Sequence, residues 1–120
     1  MKKYQLIIMA VAIVTLISCV QKTTFRTVVF TLDVSGIQNI KTVGIRGGDN
    51  PLTWDKDHRM KEIVKDSLYQ VTISGRTGRL YTEIKFSING QLEEQLSENR
   101  QLFFKDKDTT FYEAKFDVMK

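Results

Sequence analysis

Residues 80–90 read LYTEIKFSING. Ile84, Phe86 and Ile88 alternate with Tyr81, Glu83 and Lys85, the period of a strand with one buried face. Asn89-Gly90 follows at once, and this dipeptide suits the positive φ angles of a two-residue hairpin turn. The stretch therefore predicts a strand that buries Ile84, Phe86 and Ile88, offers Tyr81, Glu83 and Lys85 outward, and then reverses.

The same alternation recurs on either side. In Thr27 to Val34, TVVFTLDV, Val28, Phe30, Leu32 and Val34 share one face, and Ser35-Gly36 turns the chain. Lys41 to Arg46 is a second strand, with Val43 and Ile45 inward. Residues 47–51, GGDNP, stack turn-formers for different reasons: glycine accepts positive φ, Asp and Asn bond to their own backbone, and proline fixes φ. Pro51 is the only proline of the chain. Beyond this bend Leu52 and Trp54 stand two residues apart, so an inward Leu52 predicts an outward Trp54. The alternative for this indole is a core or rim position that seals the domain.

The segment after Trp54 supports two readings. Met60, Ile63, Val64 and Leu68 have helical spacing, but Tyr69, Val71 and Ile73 alternate. We read a loop with at most one helical turn, then a strand from Ser67 to Ser74 and a turn at residues 75–78, GRTG. Residues 91–100 are polar, residues 102–104 form a short strand, 105–108 a charged turn, and 111–116, FYEAKF, the last strand. About six to seven short strands separated by turn signals, with no long amphipathic helix, predict an all-β fold, an antiparallel β-sandwich.

Composition agrees with one globular domain. The chain has 120 residues, 42% hydrophobic and 27% charged, which excludes a disordered chain. The formal charge of +4 includes Lys2 and Lys3; without them 18 basic residues become 16 against 14 acidic, a net +2. That surplus is small and interspersed, so no nucleic-acid partner is expected. The single cysteine, Cys19, excludes an intramolecular disulfide.

Met1-Lys2-Lys3 is a positive start, and Leu6 to Ile17 is an apolar run of 12 residues. It is shorter than the roughly 20 residues of a spanning helix and has the length of a secretory core. It ends in Leu16-Ile17-Ser18-Cys19, which resembles a bacterial lipobox. The resemblance implies a signal-peptide helix over residues 1–18, cleavage before Cys19, and diacylglycerol and an acyl group such as palmitate on Cys19. Residues 19–26 then form a tether and residues 27–117 the domain. Several acyl chains give stable membrane attachment. No acidic cluster follows Cys19, and we read an outer-membrane lipoprotein of the cell envelope that faces the periplasm.

The order of segments carries a second resemblance. VVFTLDVSG, VGIRGGDNPLTWDK, SLYQVTI, YTEIKFSING, ENRQLFF and TTFYEAKFD follow one another. This series resembles a starch- or glycogen-binding module of the immunoglobulin-like sandwich type, over nearly all of residues 27–117. The family binds glucan on two tryptophans, with a lysine and an asparagine. The resemblance places the first tryptophan at Trp54, the lysine at Lys85 and the asparagine at Asn99. The second tryptophan has no counterpart: Glu94 stands nearest its place. Taken alone, Lys85 reads as a solvated strand residue and Asn99 as a turn former. Tyr81 reads as a second platform or as a cross-strand packing partner.

Sugar rings offer apolar C–H faces and hydroxyl edges, so an aromatic plate with a few polar groups is the matching chemistry. Catalysis finds little footing. Glu93-Glu94 are adjacent on a segment read as exposed, His58 lacks an evident partner, and Asp49, Asp55 and Asp57 read as loop solvation. No cofactor, metal site or enzymatic activity is expected. The expectation is a non-catalytic, membrane-tethered α-glucan-binding lipoprotein, with a glycan-processing protein as a partner. The alternative is a structural or protein-interaction lipoprotein with a degenerate sugar site.

Overall fold

The computed structural model describes residues 22–106 and 109–119; the leader, Cys19 and the lipobox lie outside the described residues. Among the described residues nine strands follow in order: β1 Thr24–Asp33, β2 Val43–Gly47, β3 His58–Arg59, β4 Lys61–Val64, β5 Leu68–Thr77, β6 Tyr81–Ile88, β7 Gln91–Leu92, β8 Arg100–Phe103 and β9 Thr109–Lys115. Two of them are two-residue bridges, which leaves seven of four residues or more. No helix occurs among the described residues, and none there is long and apolar enough to cross a membrane.

The strands form two sheets. The first has the order β4-β5-β1-β9 and the second β3-β2-β6-β7, with β8 also paired to β6. All pairs are antiparallel except β1 with β9. The fold is an all-β sandwich.

The predicted inward faces are the observed ones. Val28, Phe30, Leu32 and Val34 of the first sheet meet Val43, Ile45, Ile84, Phe86 and Ile88 of the second in one buried cluster. Phe30 packs edge-on against Phe86, centroids 6.3 Å apart, and Tyr112 closes the group at 5.9 Å from Phe30. Asn89 and Gly90 take φ of 52° and 81° and turn β6 into β7 as the dipeptide predicts.

The structure departs from the sequence reading of the strands in several places. β5 runs on to Thr77, through Gly75, Arg76 and Thr77 of the stretch read as a turn. β1 begins at Thr24, inside the stretch read as tether, because Thr24, Phe25 and Arg26 pair with Thr77, Arg76 and Gly75. The loop after His58 is two short strands. Lys61 and Glu62 pair with Gln70 and Tyr69, and the chain reverses on Asp66 at φ 56°. Asp tolerates this left-handed conformation better than most residues. The helical spacing of Met60, Ile63 and Val64 has no structural meaning, since Met60 is buried and the other two are exposed.

Candidate functional site

The bend after β2 is fastened on both sides. Gly47 N–H donates to the Thr53 carbonyl at 3.3 Å, Gly48 N–H to the Glu83 carbonyl at 3.1 Å, and Leu52 N–H to the Asp49 carbonyl at 2.9 Å. The Asn50–Pro51 peptide is cis. On the far side the Asn50 carbonyl lies against Gly75 of β5, 2.8 Å from where a Cβ would stand, so only glycine fits there. Leu52 turns into the core at 7% exposure, whereas Trp54 faces outward at 37%. Its indole nitrogen lies over Gly48, 3.6 Å from where a Cβ would stand, which is ordinary contact distance.

Charged groups fix the rest of the loop. Arg46 Nε donates to Asp57 at 2.8 Å and its Nη1 to the Trp54 carbonyl at 3.2 Å. Asp57 also accepts from the Ser87 hydroxyl at 2.7 Å. A Cβ on Gly44 would stand 2.8 Å from Asp57, so this carboxylate roofs a glycine on the outer face of β2. Asp57 is half-buried and structural, which corrects its reading as loop solvation.

Lys85 sits opposite Arg46 across the β2–β6 pair, on the outer face of the second sheet. Its Nζ reaches the Leu96 carbonyl at 3.4 Å, so other donor directions stay open. Asn99 donates from Nδ2 to Glu83 at 3.2 Å, which leaves its carbonyl oxygen as an acceptor. Trp54, Lys85 and Asn99 thus share one outer face, linked through Gly48, Arg46 and Glu83. Tyr81 lies on the same face of β6, two residues beyond Glu83 and 44% exposed. Its ring packs against Phe103 of β8 at 5.5 Å, so it is both an open ring and a cross-strand partner. Sequence reasoning missed Phe103, which it placed only in a short strand; Phe103 is 61% exposed. Among the described residues no cluster of His, Cys, Asp and Glu could hold a metal.

The segment that carries Asn99 is anchored by a buried ion pair that the sequence does not announce. Glu93, read above as exposed, has a fully buried side chain. It accepts from Arg100 Nη2 at 2.6 Å, from Phe86 N–H at 3.1 Å and from Asp117 N–H at 3.0 Å. Arg100 Nη2 also donates to the Lys115 and Val118 carbonyls, and its guanidinium lies 5.5 Å from the Phe86 ring centre. Burial works against the charge of Arg100, but Glu93 together with Tyr112 outweighs it and holds the arginine pKa above its usual value. Inward Glu93 and Arg100 place Glu94 and Asn99 differently: Glu94 is exposed, and Asn99 is half-buried beside Glu83.

Beneath the loop, three buried polar atoms have no protein partner: Arg26 Nε, Asp49 Oδ2 and Thr82 Oγ1. All three residues line one cavity of about 40 Å³ between the sheets, together with Leu52, Ile73 and Phe104. That volume accommodates water, which needs about 10–15 Å³ and two to four polar neighbours. No protein-family model matches this chain, and comparison with curated proteins finds no match.

Proposed function

We propose that the chain is a non-catalytic glycan-binding lipoprotein that takes an α-glucan on the outer face of its second sheet, in the manner of a starch- or glycogen-binding module. The observation that carries the reading is the outward indole of Trp54, fixed by backbone bonds on the face that also holds Lys85 and Asn99. Trp54 stacks on the apolar face of a sugar ring. Lys85 and the Asn99 carbonyl oxygen bond its hydroxyl edges. The partial order of these groups in the free protein lowers the entropic cost of binding. Lipid on Cys19 holds the domain at the envelope membrane, and a glycan-processing protein works beside it.

A second reading rests on Glu94. An exposed acid stands where the resemblance expects a second aromatic, which suits a structural or protein-interaction lipoprotein with a degenerate sugar site. One titration separates the two. Trp54 is the only tryptophan, so emission of the full chain during addition of maltoheptaose reports this site alone. A saturable change, with calorimetric heat that vanishes in Trp54→Ala, supports glycan binding. No response up to millimolar sugar, with the variant identical to the wild type, refutes it and favours the interaction protein.

A further inference from the structure

Tyr81 and Phe103 oppose each other across β6 and β8, with rings 5.5 Å apart and tilted by 35°. Both are open to solvent on the face that carries Trp54. The register locates them relative to the indole. Trp54 lies over Gly48, and Gly48 N–H bonds to the Glu83 carbonyl. Glu83 pairs with Gln101, and two residues along β6 and β8 come Tyr81 and Phe103. Two residues of strand span about 7 Å, so the aromatic pair begins about that far beyond the Glu83–Gln101 pair. Between the two aromatic positions the face carries polar groups, the Glu83 carboxylate, the Asn99 amide and the Gln101 amide.

We propose that Trp54 and the Tyr81–Phe103 pair are the two ends of one binding strip for a linear oligosaccharide, and that the pair takes over the role of the absent second tryptophan. The proposal rests on the glycan reading above and adds to it a direction, a length and a residue, Phe103. An alternation of flat apolar plates with hydrogen-bonding groups matches a chain whose rings repeat apolar faces and hydroxyl edges, and it matches a single small sugar poorly. A short sugar reaches Trp54, Lys85 and Asn99; only a longer one also covers Tyr81 and Phe103. Glu83 sits at the middle of the strip, with one carboxylate oxygen engaged by Asn99. Two open rings packed against each other also hold one another in place before binding, so less ordering is needed when a sugar arrives.

The test is chain-length dependence, measured by isothermal titration of the full chain with maltotriose and with maltoheptaose. The wild type is expected to bind maltoheptaose about tenfold tighter than maltotriose, one decade of Kd. In Tyr81→Ala/Phe103→Ala that preference collapses to within about twofold, with the maltotriose Kd unchanged. Tyr81→Phe keeps the preference, because it keeps the ring. Trp54→Ala loses both ligands. Equal melting temperatures of the variants and the wild type, read by circular dichroism, show that the sandwich is intact; a variant that melts early is replaced by Phe103→Ser alone. If the wild type prefers the longer sugar and the double variant retains that preference, the strip is refuted while the glycan reading stands. If the wild type binds neither sugar, both readings fall together.

Discussion

Arg100 and Arg46 each meet a carboxylate beside β6, Arg100 with Glu93 at 2.6 Å and Arg46 with Asp57 at 2.8 Å. The first pair is shut away, with side chains 3% and 0% exposed; the second is about one-fifth exposed. Around this pair the protein's own backbone supplies the further partners: Phe86 and Asp117 donate to Glu93, and Lys115 and Val118 accept from its arginine. Around the exposed pair the Ser87 hydroxyl donates to Asp57, the Trp54 carbonyl accepts from Arg46, and solvent reaches both groups. The two pairs look alike as chemistry and differ in what they tie down. One fastens the segment before β8 and the C-terminal end to β6. The other fastens the loop that presents Trp54 and leaves the outer face open for a ligand.

The sharpest way to break the contrast is to remove Glu93. Glu93→Ala leaves Arg100 buried without its counter-charge and two backbone N–H groups without an acceptor. The expected loss is about 3–5 kcal/mol, a large share of a typical domain stability. Equilibrium urea unfolding followed by Trp54 emission measures it. The double variant Glu93→Leu/Arg100→Met is expected to recover part of the loss, since no lone charge remains. It does not recover all, because the Phe86 and Asp117 N–H groups still lack partners. Equal stability of single and double variants would show that the charge itself does not matter.

Asp57→Ala tests the exposed pair and should cost less, about 1–2 kcal/mol, because solvent reaches both groups. Its second effect is local. Arg46 loses its anchor, the Trp54 carbonyl loses a fixed donor, and quenching of Trp54 by acrylamide should rise. Asp57→Asn should show the smaller loss of the two. An Asp57→Ala variant whose indole is no more accessible than in the wild type would mean that the backbone bonds of residues 47–53 hold the loop unaided.

Much of this difference was invisible in the chain. Strand faces were legible because Val28, Phe30 and Leu32, or Ile84, Phe86 and Ile88, repeat with a period of two, and that period is a local property. The outward Trp54 was legible from its distance to Leu52. Glu93 was not: beside Glu94 the two acids are indistinguishable, and only the register of residues 91–92 with β6 brings Glu93 under Phe86 N–H. Asp57 was misread for the same reason, since its partners Arg46 and Ser87 lie 11 and 30 residues away. Phe103 escaped because its significance is a pairing with Tyr81 across two strands, and neither segment hints at the other.

Thr82 offers a milder test from inside the sandwich. Its buried hydroxyl has no protein partner and lines the cavity beneath the Trp54 loop. Thr82→Val keeps the shape and removes the polar atom, so stability should rise by up to about 1 kcal/mol. A loss instead of a gain would show that the hydroxyl is hydrogen-bonded through water to Arg26 or Asp49, and that the loop draws on that link.

The smallest effect is expected where a carboxylate meets a neutral partner. Tyr69 on β5 is buried at the sandwich edge and donates its hydroxyl to Glu62 of β4 at 3.1 Å. Burial first, then the hydrogen bond and charge of Glu62, raise the Tyr69 pKa above its ordinary 10.0. The folded state therefore holds this proton more tightly than the unfolded chain does. The resulting stability is complete below the unfolded pKa and is lost as pH rises through the folded one. Between about pH 9 and 11 the wild type should lose more of its urea midpoint than Tyr69→Phe, which has no proton to release there. Glu62→Gln should flatten the same slope in part, because it keeps a hydrogen-bond acceptor and removes the charge. Parallel midpoints for wild type and Tyr69→Phe over that range would mean that the hydroxyl ionises as freely in the sandwich as in water. The contrast between shut and open charges would then stop at β6 and not extend to this edge of the first sheet.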